Sequence, residues 1–148
     1  MNIEKLEEMW AIDCVIDQNR LDDVTVACAK LHAKYLAIFN TVKMKLKKYE
    51  SDYATERHTR WKWYTGKMTK DEMDKHGLDY DPWYGGSKPM KSEISSYIEA
   101  DPVLSKIQLK IEYYKIMTSM IEEILGNIRW RNSAIKNILD WKKFTSGV

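Results

Sequence analysis

The chain has 148 residues, of which 44% are hydrophobic and 31% are charged, and its formal net charge is +2. This length suffices for one compact domain or for an extended subunit whose core is completed by other copies. No run of about 18 apolar residues is present, which excludes a membrane-spanning helix. The N-terminus also lacks a basic segment followed by an apolar run, so we expect no signal peptide and a soluble, intracellular protein.

Charge is distributed unevenly along the chain. Residues 1–25 carry seven acidic and two basic side chains, whereas residues 26–70 carry three acidic and eleven basic ones. Such a basic segment is typical of a surface that binds polyanions, although an ordinary solvated helix face can have the same composition. Only three prolines and six glycines are present, and most lie between Gly66 and Pro102. We therefore expect an all-α protein in which long helices flank an irregular middle.

A short amphipathic helix is predicted over residues 3–13, followed by a turn. Leu6 and Trp10 belong to its apolar stripe, and its opposite face is acidic. So short a helix must dock to persist in water, either on its own subunit or on a neighbour, and both remain open. After the turn, Asp22 or Asp23 is suited to cap the next helix and to complement its dipole.

A long helix is predicted over residues 21–66, because nothing interrupts it and apolar side chains recur at intervals of three and four. These apolar positions are Val24, Cys28, Leu31, Tyr35, Ile38, Val42, Leu46, Tyr49 and Tyr53. At about 1.5 Å per residue, such a helix exceeds the width of a compact domain of this size. We expect an extended hairpin in which this helix packs lengthwise against a second one.

The end of this helix combines three aromatic rings with three fixed cations in residues 57–66, RHTRWKWYTG. Cations neutralise phosphates and flat rings stack on exposed bases, so the mixture favours single-stranded nucleic acid. Alternatively, Trp61 and Tyr64 lie in the core and the cations form the solvated face opposite. The predicted DNA-binding side chains are Lys47, Lys48, Arg57, His58, Arg60, Trp61, Lys62, Trp63, Tyr64 and Lys67.

A turn-rich loop and then a short helix are predicted over residues 67–100. Glycines and a proline interrupt residues 67–87, and Tyr80, Trp83 and Tyr84 add three rings there. These rings suit either a mobile flap over a bound strand or pins that fasten the loop to the helices. The short helix is expected to begin within residues 87–90 and to end at Ala100.

A second long helix is predicted over residues 101–144, with Asp101 as its cap and Pro102 as its first residue. It carries two apolar stripes. One can close the hairpin, and the other needs a partner outside the monomer, so we expect a homo-oligomer. The side chains assigned to this interface are Leu109, Tyr113, Ile116, Met120, Ile128, Trp130, Ile135, Leu139 and Trp141. Residues 1–148, including the N-terminal segment 1–20, are expected to form a single helical domain.

Catalytic and metal-binding motifs are absent from the sequence. There is no phosphate-binding glycine loop, no H-E-x-x-H and no nucleophile elbow. Cys14 and Cys28 lack the spacing of metal ligands, and the three histidines are scattered. We therefore expect a binding protein with no enzymatic activity, no catalytic residues, no metal and no cofactor.

Residues 47–66 resemble the basic-aromatic motif of the UvsY family, recombination mediators of T-even-like bacteriophages. The final helix is also similar, notably over residues 133–144, SAIKNILDWKKF, and the likeness covers nearly the whole chain. The resemblance implies single-stranded DNA binding and ring-like homo-oligomers of six or seven subunits formed through the C-terminal region. It also implies loading of a phage RecA-like recombinase onto strands coated by the phage single-strand-binding protein, in the cytoplasm of the infected bacterial host.

The resemblance further implies roles for individual residues. Arg60 matches one of the basic residues through which the family contacts DNA, whereas the position two before it, usually lysine, is His58. Arg57 and Lys62 can compensate for the fixed charge that is missing at His58. Residues 67–87 match the family least. A helical scaffold that joins proteins without touching nucleic acid is the competing class.

Overall fold

The computed structural model describes residues 1–147, and within them the protein is all-α, as predicted. Its helices are α1 (Ile3–Asp13), α2 (Leu21–Tyr64), α3 (Lys70–His76), α4 (Ile94–Glu99) and α5 (Pro102–Thr145). Val148, the last residue of the predicted domain, lies outside the described residues. No helix in residues 1–147 is both long and apolar enough to cross a membrane.

The chain divides into two compact units, and both long helices contribute residues to each unit. Unit 1 contains residues 1–45 and the described residues from Tyr114 onward, whereas unit 2 is Leu46–Tyr113. Each unit therefore pairs one part of α2 with one part of α5. The predicted pairing of the two long helices is confirmed in each unit.

The core of unit 1 joins the start of α2 to the end of α5. Leu21 and Cys28 of α2 pack against Ile135 of α5, and all three side chains are buried. Helix α2 begins at Leu21, so the prediction that Asp22 or Asp23 caps it is wrong. Both carboxylates lie within the first turn, which confirms the prediction that their negative charge complements the helix dipole.

Helix α1 docks on its own subunit within unit 1. Leu6 is fully buried, and the Trp10 ring meets the buried Tyr35 ring edge-on at 5.5 Å between centroids. The Tyr35 hydroxyl donates to Asp13 at 2.9 Å, and the buried Arg131 of α5 donates to the Val15 carbonyl at 2.9 Å. These contacts supply the docking that so short a helix requires.

The core of unit 2 gathers the end of α2, helices α3 and α4, and the start of α5. Its buried side chains are Trp63, Tyr64, Met68, Met73, Ile94, Ile98 and Leu104. The predicted cap of α5 is confirmed, because the Asp101 carboxylate accepts from the backbone N–H groups of Val103 at 2.9 Å and Leu104 at 3.3 Å.

Helix α3 corrects the prediction that residues 67–87 form a loop without a helix. Thr69 and Glu72 form a reciprocal capping box at its start, and Gly77 ends it in the left-handed conformation at φ 65°. This T-x-x-E pattern is visible in the sequence, but seven residues are too few for an apolar period to be recognised. Helix α4 is also shorter than expected, since it begins at Ile94 and ends at Glu99.

The loop after α3 is held by its own side chains. The Asp81 carboxylate accepts from the backbone N–H groups of Trp83 at 2.8 Å and Gly85 at 2.7 Å. The Trp83 ring lies 5.5 Å from the Tyr64 ring and 5.0 Å from the Tyr97 ring. Two interpretations were open for the loop rings, a mobile flap or side chains that fasten the loop to the helices. The contacts of Trp83 support the second.

Candidate nucleic-acid interface

A pocket of about 440 Å³ opens beside the C-terminal end of α2, and we call it the cationic pocket. Its lining residues all belong to unit 2 and are Arg57, Trp61, Thr65, Lys67, Lys88, Lys91, Ile94, Ser95 and Ile98. Four of them are cations, one is an indole, and none is an acid. A positive pocket with an aromatic wall matches the two chemical features of single-stranded nucleic acid, which are phosphate charge and exposed base faces.

Trp61 forms the aromatic wall of the pocket. The ammonium nitrogen of Lys67 lies 4.4 Å from the centroid of its ring, and the His58 ring lies parallel to it at 5.9 Å and 20°. Trp61 is half-buried and packs against the core of unit 2. The Trp61 ring is thus held in place by the core, while the two groups that lie against it, His58 and Lys67, belong to exposed residues.

Lys88 and Lys91 reach the pocket from the segment that precedes α4. Within this segment the Glu93 carboxylate accepts a hydrogen bond of 2.9 Å from the Met90 backbone N–H. The buried Ile94 and Ile98 then anchor α4 in the core, which places the lysine segment opposite Arg57 and Trp61 as a lining of the pocket. The sequence around these two lysines does not indicate that they belong to the pocket. They lie beside Arg57 and Trp61 because α4 packs against the core of unit 2.

Lys62 is engaged in an ion pair that fastens α3 to α2. Its Nζ atom lies 2.6 Å from Oε1 of Glu72. The hydrogen bond from Lys62, followed by the backbone N–H of Thr69, lowers the pKa of Glu72 to about 2. At neutral pH the Glu72 carboxylate is therefore charged, and Lys62 is not among the cations that line the pocket.

Arg60 is also paired, and it is not among the residues that line the pocket. Its Nε atom lies 3.1 Å from Oε1 of Glu56, and its Nη1 atom lies 3.5 Å from Oδ2 of Asp101. The Tyr64 hydroxyl donates to the same Asp101 oxygen at 2.8 Å. Burial, reinforced by this hydrogen bond, raises the pKa of Tyr64 above its ordinary value.

Trp63 and Tyr64 require a correction, because both rings are buried in the core of unit 2. Trp63 is only 6% exposed, and its indole nitrogen donates to the Asp79 carbonyl at 2.8 Å. A base cannot stack on either ring in this conformation. Neighbouring helical residues point about 100° apart, so Trp61, Trp63 and Tyr64 cannot all face one ligand. The core interpretation is therefore right for Tyr64, and Trp61 is the ring that reaches the pocket.

The two predicted lysines upstream of the motif are exposed on α2 but lie outside the pocket. Lys47 pairs with Glu50 at 2.8 Å, and Lys48 is exposed. Lys47 and Arg57 are ten positions apart, which is about 15 Å along the helix axis. These lysines can extend a basic surface on α2, whereas the pocket itself depends on Arg57, Lys67, Lys88 and Lys91.

The side chains predicted to form the oligomer interface fall into two groups. Ile128 and Ile135 are buried within their own chain, so their assignment to the interface is wrong, since they supply intramolecular packing. Tyr113 and Met120 are half-buried. The others are exposed on α5, namely Leu109, Ile116, Trp130, Leu139 and Trp141. Trp130 is 74% exposed, although tryptophan side chains are highly buried on average.

Metal-binding side chains are not grouped in the part of the chain that the structure describes. Within residues 1–147, no three His, Cys, Asp or Glu side chains are placed so that they could hold one ion. The candidate interface is consequently described by its cations and its aromatic wall alone.

Comparison with known proteins finds relatives that match nearly the whole chain. A family model described as recombination, repair and ssDNA binding protein UvsY matches residues 9–148. The recombination protein uvsY of Enterobacteria phage T4 is 26% identical over 147 residues, which cover 99% of each chain.

Solved structures show the same fold. A crystal structure of the bacteriophage T4 recombination mediator protein UvsY, lattice type II, has a TM-score of 0.82 and 25% identity, covering 99% of this chain and 98% of that one. The crystal structure of the same T4 protein in lattice type I has a TM-score of 0.80 and 24% identity, covering 95% of this chain and 98% of that one. The chain therefore belongs to the UvsY family of recombination, repair and single-stranded DNA binding proteins.

Proposed function

We propose that the chain is a single-stranded DNA-binding recombination mediator and that each subunit holds the strand in the cationic pocket. The observation that carries this proposal is the meeting of four cations and the Trp61 indole in one pocket without an acidic lining residue. Membership of the UvsY family supports the same function. The related T4 protein is itself called a recombination mediator.

Within the pocket, one base stacks on Trp61 and the flanking phosphates contact the cations. The Lys67 ammonium, now 4.4 Å from the ring centroid, gives up this position to the base and moves to a phosphate. Stacking of a base on an aromatic ring contributes about 1–3 kcal/mol. Duplex DNA offers no free base face, so the pocket selects single strands.

Several subunits assemble through the exposed apolar face of α5, as six or seven copies in a ring. Trp130 and Ile116 are exposed in the single chain, and apolar surface of this kind is covered when copies associate. A ring multiplies weak contacts by raising the effective concentration of each further pocket once one is occupied.

A strand that passes through successive pockets is bent around the assembly. This bending loosens the hold of the phage single-strand-binding protein and exposes DNA to a RecA-like recombinase. The protein acts by binding and makes or breaks no covalent bond. Its place of action is the cytoplasm of the infected bacterium, where phage DNA is recombined and repaired.

Replacing the pocket cations should weaken binding of a short oligo-dT strand and reduce its salt dependence. For Lys67→Gln and Lys91→Gln we expect the slope of log K against log salt concentration to fall by about 0.7 for each cation removed, since each contact releases counterions. Trp61→Ala should lose about 1–3 kcal/mol of binding, and Trp61→Phe should lose less. Fluorescence anisotropy of an end-labelled oligonucleotide measures both effects.

Lys75→Gln is the matched control, because Lys75 is an exposed lysine of unit 2 that does not line the pocket. The same pocket variants should lengthen the delay before a RecA-like recombinase becomes active on a coated strand. If Lys67→Gln and Lys91→Gln bind the oligonucleotide as Lys75→Gln does, the proposed site is wrong. A complete absence of salt-dependent strand binding would favour the protein scaffold.

A further inference from the structure

We propose that Arg60 is a positioning residue, which supports strand binding by holding the buried carboxylate of Asp101 and makes no contact with DNA phosphate. This inference rests on the proposed function of the cationic pocket. It assigns to Arg60 a different role from the one that its place in the basic-aromatic motif suggests, and the direct phosphate contacts then fall to Arg57, Lys67, Lys88 and Lys91.

The guanidinium of Arg60 is committed to partners inside its own unit. Its side chain is 14% exposed, and it lies between the carboxylates of Glu56 at 3.1 Å and Asp101 at 3.5 Å. Its carbon also lies 5.5 Å from the centroid of the buried Trp63 ring. An arginine that already faces two carboxylates and an aromatic ring must abandon these contacts to reach a phosphate, which costs what those contacts contribute.

Asp101 is the centre of this arrangement, because its carboxylate is 1% exposed and has four partners, which are Tyr64, Arg60 and the backbone N–H groups of Val103 and Leu104. Oδ2 receives the Tyr64 hydroxyl at 2.8 Å and faces Arg60. Oδ1 receives the backbone N–H of Val103 at 2.9 Å, which caps α5. A cation placed against a buried carboxylate offsets part of the cost of its burial, and the Arg60 guanidinium lies 3.5 Å from Oδ2 of Asp101.

The connection to the pocket runs through α4. The Asp101 backbone N–H donates to the Ile98 carbonyl at 3.1 Å, so a fixed Asp101 also fixes the C-terminal end of α4. Ile94 and Ile98 line the pocket from α4, and Lys91 precedes them on the same wall. Losing the Arg60 contact therefore loosens this wall and shifts the lysines, although no phosphate contact has been removed.

The test compares two arginines that lie one turn apart on α2. Arg57 is exposed and lines the pocket, whereas Arg60 is paired and does not. Arg57→Gln should lower the slope of log K against log salt concentration for a short oligo-dT strand by about 0.7. Arg60→Gln should weaken binding several-fold with the slope unchanged, and it should lower the thermal unfolding midpoint where Arg57→Gln does not.

A double-mutant cycle with Asp101→Asn identifies the residue through which Arg60 acts. In that background, Arg60→Gln should cause no further loss of strand affinity, because the carboxylate that Arg60 holds has already been neutralised. If Arg60→Gln lowers the salt slope as Arg57→Gln does, with an unchanged melting midpoint and a full additional loss in the Asp101→Asn background, Arg60 contacts phosphate and the inference is overturned. If Arg57→Gln and Lys91→Gln both bind like the wild type, the pocket itself is refuted, and the inference that depends on it is refuted as well.

Discussion

Replacing both Ile116 and Trp130 with glutamate is expected to convert the proposed oligomer into monomers and to weaken binding to a long oligo-dT strand by about 10²–10⁴-fold. Both side chains are exposed on α5, at 60% and 74%, so the change removes little packing from the single chain. A glutamate buried against a neighbouring subunit would need a partner that the apolar face does not provide. Loss of the proposed ring would remove the effective concentration that links one pocket to the next.

Light scattering measures the mass of the assembly, and anisotropy measures the binding of long and short strands. A strand short enough for one pocket should bind this double variant as it binds the wild type, which separates loss of assembly from damage to the site. Asn132→Glu is the matched control, because Asn132 is exposed on α5 and lies outside the apolar stripe. An unchanged mass for the double variant would show that this face does not form the interface.

Asp101→Ala is expected to lower the free energy of unfolding by about 3 kcal/mol, a large part of the stability of a domain of this size. The change leaves the Tyr64 hydroxyl without its acceptor and Arg60 with only Glu56 opposite it. The first turn of α5 also loses the acceptor for the N–H groups of Val103 and Leu104. Loss of a helix cap alone costs about 1 kcal/mol.

Urea unfolding followed by circular dichroism at a fixed protein concentration measures this loss, since the stability of an oligomer depends on concentration. Asp22→Ala provides the comparison, because Asp22 is an exposed acid in the first turn of α2 and should change stability by less than about 1 kcal/mol. A loss for Asp101→Ala no larger than that for Asp22→Ala would mean that the buried network does not hold unit 2 together.

The long helices could be predicted because apolar residues recur regularly over many turns and few glycines or prolines intervene. The start of α5 can also be predicted, because the acceptor side chain of Asp101 is followed by a proline at the first helical position. The sequence alone does not predict helix α3, because the capping pair of Thr69 and Glu72 is its single local signal. Short elements of this kind depend on the core to which they attach, here through the buried Met73.

The pocket could be predicted only in part. Local composition identifies Arg57, Trp61 and Lys67, but it cannot tell which ring of a basic-aromatic segment faces solvent. Trp63 and Tyr64 are buried because the core of unit 2 closes over that side of α2. Lys88 and Lys91 belong to the site because α4 packs next to Trp61, and nothing near them in the sequence shows this.

We propose that single-stranded DNA enters the cationic pocket and that one of its bases stacks on Trp61. Photo-crosslinking of a short strand that contains 5-iododeoxyuridine, followed by mapping of the attached peptide, tests it most directly. We predict attachment at Trp61, reduced when Lys67 and Lys91 are both replaced by glutamine. Attachment confined to the exposed lysines upstream on α2, such as Lys47, with Trp61 unmodified, would contradict the claim.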